Sequence, residues 1–285
     1  MEIMTQITAG AVKALRDRTG AGMMDCKRAL IESEGDTERA VDLLRKAGAA
    51  KAAKREARTV SEGTIRIAMR DGSATMVEVL SETDFVARSE AFEDFSRDLA
   101  ERLFDLPVQD GETVRGDALL RLDGEGAIES RLNELRVQVG ENVQVGRAVR
   151  YDLGTPGAFA SYVHFGNRIG VLLEVSDSDD AAREAARGIA MHAAATNPRG
   201  VSPDDIPEAE VERERKLLTE QALEQGKPAS ITEKIVDGRM RKFYEENALL
   251  WQAYVRDPDL TVKDVLREAG EDVAVRRFVR FEVGG

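Results

Sequence analysis

An α+β fold is predicted for this chain of 285 residues: an N-terminal three-helix module, then a core of two repeated subdomains with antiparallel sheets and helices, with an inserted helical hairpin. Three observations predict it. The first stretch, to about residue 48, carries apolar residues at helical spacing and no strand pattern. Two runs of alternating apolar residues, 63–80 and 160–176, each fold back on a turn and lead into a helical run. Residues 207–247 read as two amphipathic helices joined by GKP, through which neither can continue. The module with its basic connector helix is expected over 1–54, the first subdomain over 55–140 and the second over 141–285, with the hairpin inserted at about 207–247.

Taken in order, Val12 and Leu15 share one face of a first helix, which TGAG at 19–22 ends. MMDCKRALIES is a second helix running towards Gly35. Asp36 caps a third, DTERAVDLLRKAG, with Glu38 in its first turn and Gly48 at its stop. The basic stretch RKAGAAKAAKREAR, 45–58, is either a solvated connector helix or a surface for RNA or an acidic protein. GTIRIAMRDGSATMVEVL is a hairpin about Asp71-Gly72. The helix SEAFEDFSRDLAERL follows, with Phe92, Phe95, Leu99 and Leu103 along one face. Beyond a Gly- and Asp-rich loop at 123–127 and the helical IESRLNELRVQVG, the segment 141–152 alternates as a third strand.

ASYVHFGNRIGVLLEVS gives the second hairpin, about Phe165-Gly166-Asn167, and DDAAREAARGIAMHAAA its helix. In the long hairpin, Val211, Leu218 and Leu223 are expected to face Ile231, Ile235 and Phe243. A seam this narrow suggests an interaction or oligomerisation device, which could pair two copies, touch another partner or merely project. The helix TVKDVLREAG and the strand VRRFVRFEV close the second sheet.

Val77-Glu78-Val79 overlays Leu173-Glu174-Val175 at an offset of 96 residues, from 77 to 173. Carried forward, that offset sets Asp84 on Asp180, Phe85 on Ala181 and Val86 on Ala182. Phe85 stands where a strand hands over to a helix, and the second copy has no ring there. It either folds into its own core or is displayed for another protein's.

Composition narrows the function. Formal net charge is −12, unsuited to a protein whose main work is gripping phosphate backbones. No apolar run reaches the ~18 residues of a membrane span. The start of the chain lacks the pattern of a signal or transit peptide, and a single cysteine fits a reducing compartment. The expected location is cytoplasmic. The chain holds two histidines, His164 and His192, and no GxxxxGK[ST], GxGxxG, GxSxG, HExxH or CxxC. Cys26 reads as a small buried residue, His192 as packed against its own helix, and His164 as a surface histidine or a strand residue facing a partner. The expectation is a protein that binds without making or breaking bonds: no catalytic residue, no metal, no cofactor.

Several long strings carry a resemblance: VKALRDRTGAGMMDCKRAL (12–30), TDFVAR (83–88), VGENVQVGR (139–147), HFGNRIGVL (164–172), GKPASITEKIVDGRMRKF (226–243) and RFVRFEVG (277–284). On these the chain resembles the bacterial elongation factor Ts family, the guanine-nucleotide exchange factors of elongation factor Tu. The resemblance implies a UBA-like N-terminal module that docks on the partner's nucleotide-binding domain, with Arg16, Met23 and Met24 at its contact positions. It implies that Thr83, Asp84, Phe85 and Val86 form a loop that enters the partner near its magnesium ion and expels it. It implies further core contacts at Val139, Gly140 and His164. The partner would be elongation factor Tu, GDP-bound and nucleotide-free, with no membrane or direct nucleic-acid role. Some relatives continue past the final strand into a further helix, and contacts made by such an extension are not expected of a chain ending in FEVGG.

Overall fold

Two units make up the chain, Met1–Thr59 and Val60–Gly285. The computed structural model describes residues 7–19, 21–56, 58–224 and 229–285, the side chains of 48–56 and 229–230 excepted. In the first unit α1 (Ala9–Thr19), α2 (Met23–Glu32) and α3 (Thr37–Glu56) enclose a small core of Val12, Leu15, Cys26, Ala29, Leu30, Ala40 and Val41. Asp36 begins α3 as expected, its Oδ1 accepting from the Arg39 N–H at 3.0 Å. Gly48 does not stop that helix. The Ala- and Lys-rich sequence after it is strongly helix-forming, and one interior glycine costs only about 1 kcal/mol. Lys51, Lys54 and Arg55 of the basic stretch lie beyond the described side chains, as the GKP turn lies beyond the described residues.

The second unit starts with the hairpin β1 (Glu62–Arg70) and β2 (Ser73–Ser81), a one-turn helix α4 (Asp84–Ala87), and α5 (Glu90–Arg102). β3 (Thr113–Arg115), α6 (Gly116–Leu122), α7 (Ala127–Val139) and β4 (Val143–Asp152) follow. β5 (Ala158–Val163), β6 (Ile169–Val175) and α8 (Asp180–Thr196) form the second hairpin and its helix. The long hairpin is α9 (Glu208–Glu224) and α10 (Ala229–Asn247). β7 (Ala253–Tyr254), β8 (Asp257–Thr261), α11 (Val262–Ala269) and β9 (Val275–Glu282) complete the chain.

The strands form sheets in the orders β1-β2-β4-β3 and β5-β6-β9, with β7-β8 a short ribbon. These strands pair antiparallel with one another. β4 lies past residue 140 yet pairs with β2 and β3, so the first sheet draws on sequence beyond the boundary expected there. The two large sheets pack face to face through Ile65, Met76, Val149 and Tyr151 on one side and Leu172, Phe281 and Val283 on the other. Where they meet, Gly170 is closely overlaid: a Cβ there would lie 2.5 Å from Ile65 Cγ2. Helices cover the outer faces. Phe92, Phe95 and Leu99 of α5, with Ile128, Leu132 and Leu135 of α7, bury Val77 and Val79. Ala186, Ile189 and Ala193 of α8, with Leu266 of α11, bury Leu173 and Val175.

Three further expectations need correction. The ungapped offset holds only through the strands: residues 82–89 separate β2 from α5, whereas 176–179 separate β6 from α8. The helix caps correspond as Ser89 and Asp179, accepting from the N–H groups of Phe92 at 3.4 Å and Ala182 at 2.6 Å. The second copy therefore has nothing at the place of α4, and Phe85 has no partner on Ala181. In the long hairpin the seam runs through Leu218, Val236 and Met240, flanked by Val211, Phe243 and Tyr244. Leu223 and Ile231 are exposed, because positions 232, 236 and 240, four residues apart, take the inner face of α10. His192 is buried, but its partners come from beyond its own helix. Nε2 lies 2.8 Å from Gln252 Oε1, and Nδ1 accepts from the Val255 N–H at 3.2 Å.

Candidate functional site

The site is built at the end of β2. Thr83 is in extended conformation and caps α4: its Oγ1 accepts from the Val86 N–H at 3.4 Å and donates to Glu141 Oε1 at 2.8 Å. The Thr83 N–H donates to the other carboxylate oxygen of Glu141 at 3.1 Å. In return, Glu82 Oε1 accepts from the Asn142 N–H at 2.5 Å. Two residues before the corner and two residues after α7 thus clamp each other through three hydrogen bonds. Gly140 makes that approach workable: it ends α7 in the left-handed region, φ +75°, which glycine adopts without cost.

A one-turn helix has two ways to point an apolar pair, and here it uses both. Val86 is buried in the core beneath α5 and α7. Phe85 points outward and is 84% exposed. Asp84 forms an exposed i,i+4 ion pair with Arg88 at 3.1 Å, a contact worth little in water. The corner is therefore fastened at Thr83 and Val86 and presents a ring and a carboxylate between them.

Of the other residues singled out in the sequence, Val139 is half-buried and Gly140 exposed, both beside the clamp. His164 is exposed at the turn of the β5–β6 hairpin, its Nδ1 3.0 Å from the Tyr162 hydroxyl. That turn reaches the same end of the sheet. Asn167 O accepts from the Ile65 N–H at 2.7 Å, Arg168 ion-pairs with Glu62, and Glu62 lies opposite Ser81, two residues before Thr83. The structure sets 83–86 beside 139–140, and it sets the 164 turn against residues 61–65 at the same end of the sheet. Arg16, Met23 and Met24 belong to the other unit, where all three are exposed on α1 and α2.

Sequence reading missed two residues. Glu141, the carboxylate holding Thr83, sits in an unremarkable polar run whose partner is distant in sequence. Phe165, beside His164, is 97% exposed; an aromatic residue opening a Phe-Gly-Asn turn was the available signal. Among the described residues no cluster of His, Cys, Asp and Glu is arranged to hold a metal ion, and no helix is long and apolar enough to cross a membrane.

A family model described as Elongation factor TS matches residues 82–285. The matched range takes in α4, the 141–142 side of the clamp, the 164–168 turn and the long hairpin.

Proposed function

The chain belongs to the elongation factor Ts family, nucleotide exchange factors for elongation factor Tu, and from that premise we propose that α4 is the part that opens the partner's nucleotide site. Phe85 enters an apolar pocket of elongation factor Tu, and Asp84 exchanges Arg88 for a polar group there. Their insertion disturbs the Mg²⁺ that helps to hold GDP. A magnesium ion demands near-octahedral oxygen ligands and tolerates little displacement, so a small shift weakens nucleotide binding. Val139, Gly140 and His164 widen the contact on the core, and Arg16, Met23 and Met24 dock the N-terminal unit. GDP-bound and nucleotide-free elongation factor Tu are both partners, and the cytoplasm is the setting.

One observation carries this reading: a phenylalanine 84% exposed on a corner that is otherwise pinned. A ring carried on a pinned backbone loses less freedom on binding than one on a loose loop, and such preorganisation favours affinity. Burying it in a partner would contribute about 1.5–3 kcal/mol, and a charge-assisted hydrogen bond by Asp84 about as much again. Spent on distorting the metal site, the two together allow roughly 10²- to 10⁴-fold faster release. Coupling is reciprocal: nucleotide weakens the factor as much as the factor weakens nucleotide, so rebinding of nucleotide ejects the factor. No group that titrates or attacks is required.

The test is release of labelled GDP from elongation factor Tu. Phe85→Ala is expected to melt like the parent protein and to lose at least tenfold in exchange at limiting factor concentration. Undiminished release by a well-folded Phe85→Ala protein would sink the assignment.

A further inference from the structure

Resting on the reading above, we infer that Phe165 is a second partner-contacting residue, an aromatic anchor that seats in an apolar recess of elongation factor Tu beside the one that takes Phe85. A lone exposed apolar side chain is ordinary on a protein surface. What distinguishes Phe165 is how firmly its turn is held while the ring itself touches water.

Gly166 and Asn167 are both left-handed, φ +87° and +56°, which throws the residue before them outward. The turn closes on itself through Asn167 N–H to His164 O and His164 N–H to Ile169 O, both at 2.9 Å. It is then tied to the first sheet: Ile65 N–H donates to Asn167 O at 2.7 Å, Arg168 Nη2 donates to Ser61 O at 3.4 Å, and Arg168 pairs with Glu62. A mobile tip would carry none of these cross-sheet ties. The ring is 97% exposed on a support as fixed as that of Phe85.

Position supplies the occupant. Phe165 hangs from residues 61–65 at the start of β1, and α4 springs from the β2 residue that pairs with Glu62. The two displayed rings therefore stand at the same end of the core, one from each sheet. Both lie in the stretch matched by the family model. A partner that covers Phe85 meets Phe165 on the same approach, and an aromatic side chain with only two rotatable bonds is suited to such an anchor.

The experiment compares the full-length parent, Phe85→Ala, Phe165→Ala and Phe165→Leu. It measures affinity for nucleotide-free elongation factor Tu by calorimetry, together with melting and sedimentation of each factor alone. Phe165→Ala is expected to melt normally and bind about tenfold more weakly, with Phe165→Leu recovering most of the loss because it restores apolar bulk. Parental affinity in Phe165→Ala overturns the inference. If Phe85→Ala is weakened in that same experiment, the exchange reading survives without it. If Phe85→Ala also binds like the parent, the reading beneath it falls too. Self-association that Phe165→Ala abolishes, with affinity for elongation factor Tu unchanged, would assign the ring to a second copy of this chain and equally overturn the proposal.

Discussion

The two halves of the core are nearly interchangeable inside and unlike at their margins. In the first half, Glu78 of β2 is buried and bound by Arg147 of β4, Nε to Oε2 at 2.8 Å and Nη2 to Oε1 at 3.0 Å. Arg147 crosses to the other sheet, lies 4.6 Å over the Phe281 ring and donates to Glu282 O at 2.5 Å. In the second half, Glu174 of β6 is buried and bound by Arg277 of β9, Nε to Oε2 at 2.6 Å. Arg277 crosses back, lies 4.0 Å over the Tyr151 ring and donates to Asp152 O at 3.0 Å. The two glutamates are 96 residues apart, and the members on and after β4 and β9 are 130 residues from their counterparts: 147 and 277, 151 and 281, 152 and 282. A reciprocal exchange of this kind is what a twofold relation between two copies of one unit produces. The unequal parts include α4 in the first copy, and α9 with α10 in the second. The interior that must pack twice is alike in the two copies, whereas α4 and the α9–α10 hairpin exist once. The same face-to-face packing also sets the second hairpin's turn against the start of β1, so that a duplicated core has one distinctive end.

Breaking a clasp tests the equivalence most severely. Arg147→Met leaves the Glu78 carboxylate buried with only backbone partners, the N–H groups of residue 147 itself and Gly284. Stranding a buried charge costs about 3–5 kcal/mol. Arg277→Met should cost less, about 1–3 kcal/mol, because Glu174 keeps Arg276 Nη1 at 3.0 Å. Denaturant midpoints at neutral pH would measure both. Equal losses, or a larger one at Arg277, would mean that the two clasps do not share the load as their geometry indicates.

How much of this was readable beforehand depends on distance along the chain. The paired hairpins, their helices and the strand at 275–283 announce themselves through alternation, Gly turns and caps, all local signals. The exposure of Phe85 was legible only as one of two options, since a ring at a strand end folds in or out according to what stands opposite. What decides it is Glu141, whose capture of Thr83 no short window contains. The clasps are hidden for the same reason. Glu78 and Glu174 look like surface carboxylates on alternating strands until a second sheet covers that face. β3, α6 and the β7–β8 ribbon were too short to stand out. The failed overlay at Phe85 is a separate case, because an offset fixed on strands cannot register residues inserted after them.

The α4 insertion allows a sharper contrast at intermediate cost. Val86→Ala removes buried methyl groups and should lower stability by about 1–2 kcal/mol, whereas Phe85→Ala should leave it within about 0.5 kcal/mol. On the exchange reading their functional ranking is reversed, with Phe85 dominant. Glu141→Gln weakens the hold on Thr83 without emptying the core. It is expected to slow GDP release severalfold while moving the melting temperature little. A Glu141→Gln protein that exchanges at the parental rate would show that the corner keeps its shape without the clamp.

The smallest effect lies where the two clasps differ by one oxygen. Tyr151 and Phe281 occupy equivalent places under crossing arginines, but only the phenol titrates. Burial, partly offset by Arg277, raises its pKa from the ordinary 10 to about 12. The folded chain therefore keeps a proton that the unfolded chain releases from about pH 10. Deprotonation favours the unfolded state, so this contribution is intact below pH 10 and is lost as pH rises towards 12. Near pH 11 the loss should approach 1.4 kcal/mol, one unit beyond the unfolded value. Tyr151→Phe makes the two halves alike and should remove that part of the alkaline loss, leaving stability at pH 7 almost unchanged. Melting curves between pH 8 and 11.5 for parent and variant would decide it. Parallel curves would mean that the phenol reaches solvent in the folded protein, and that the second clasp, in which Arg277 covers Tyr151, is looser than the first.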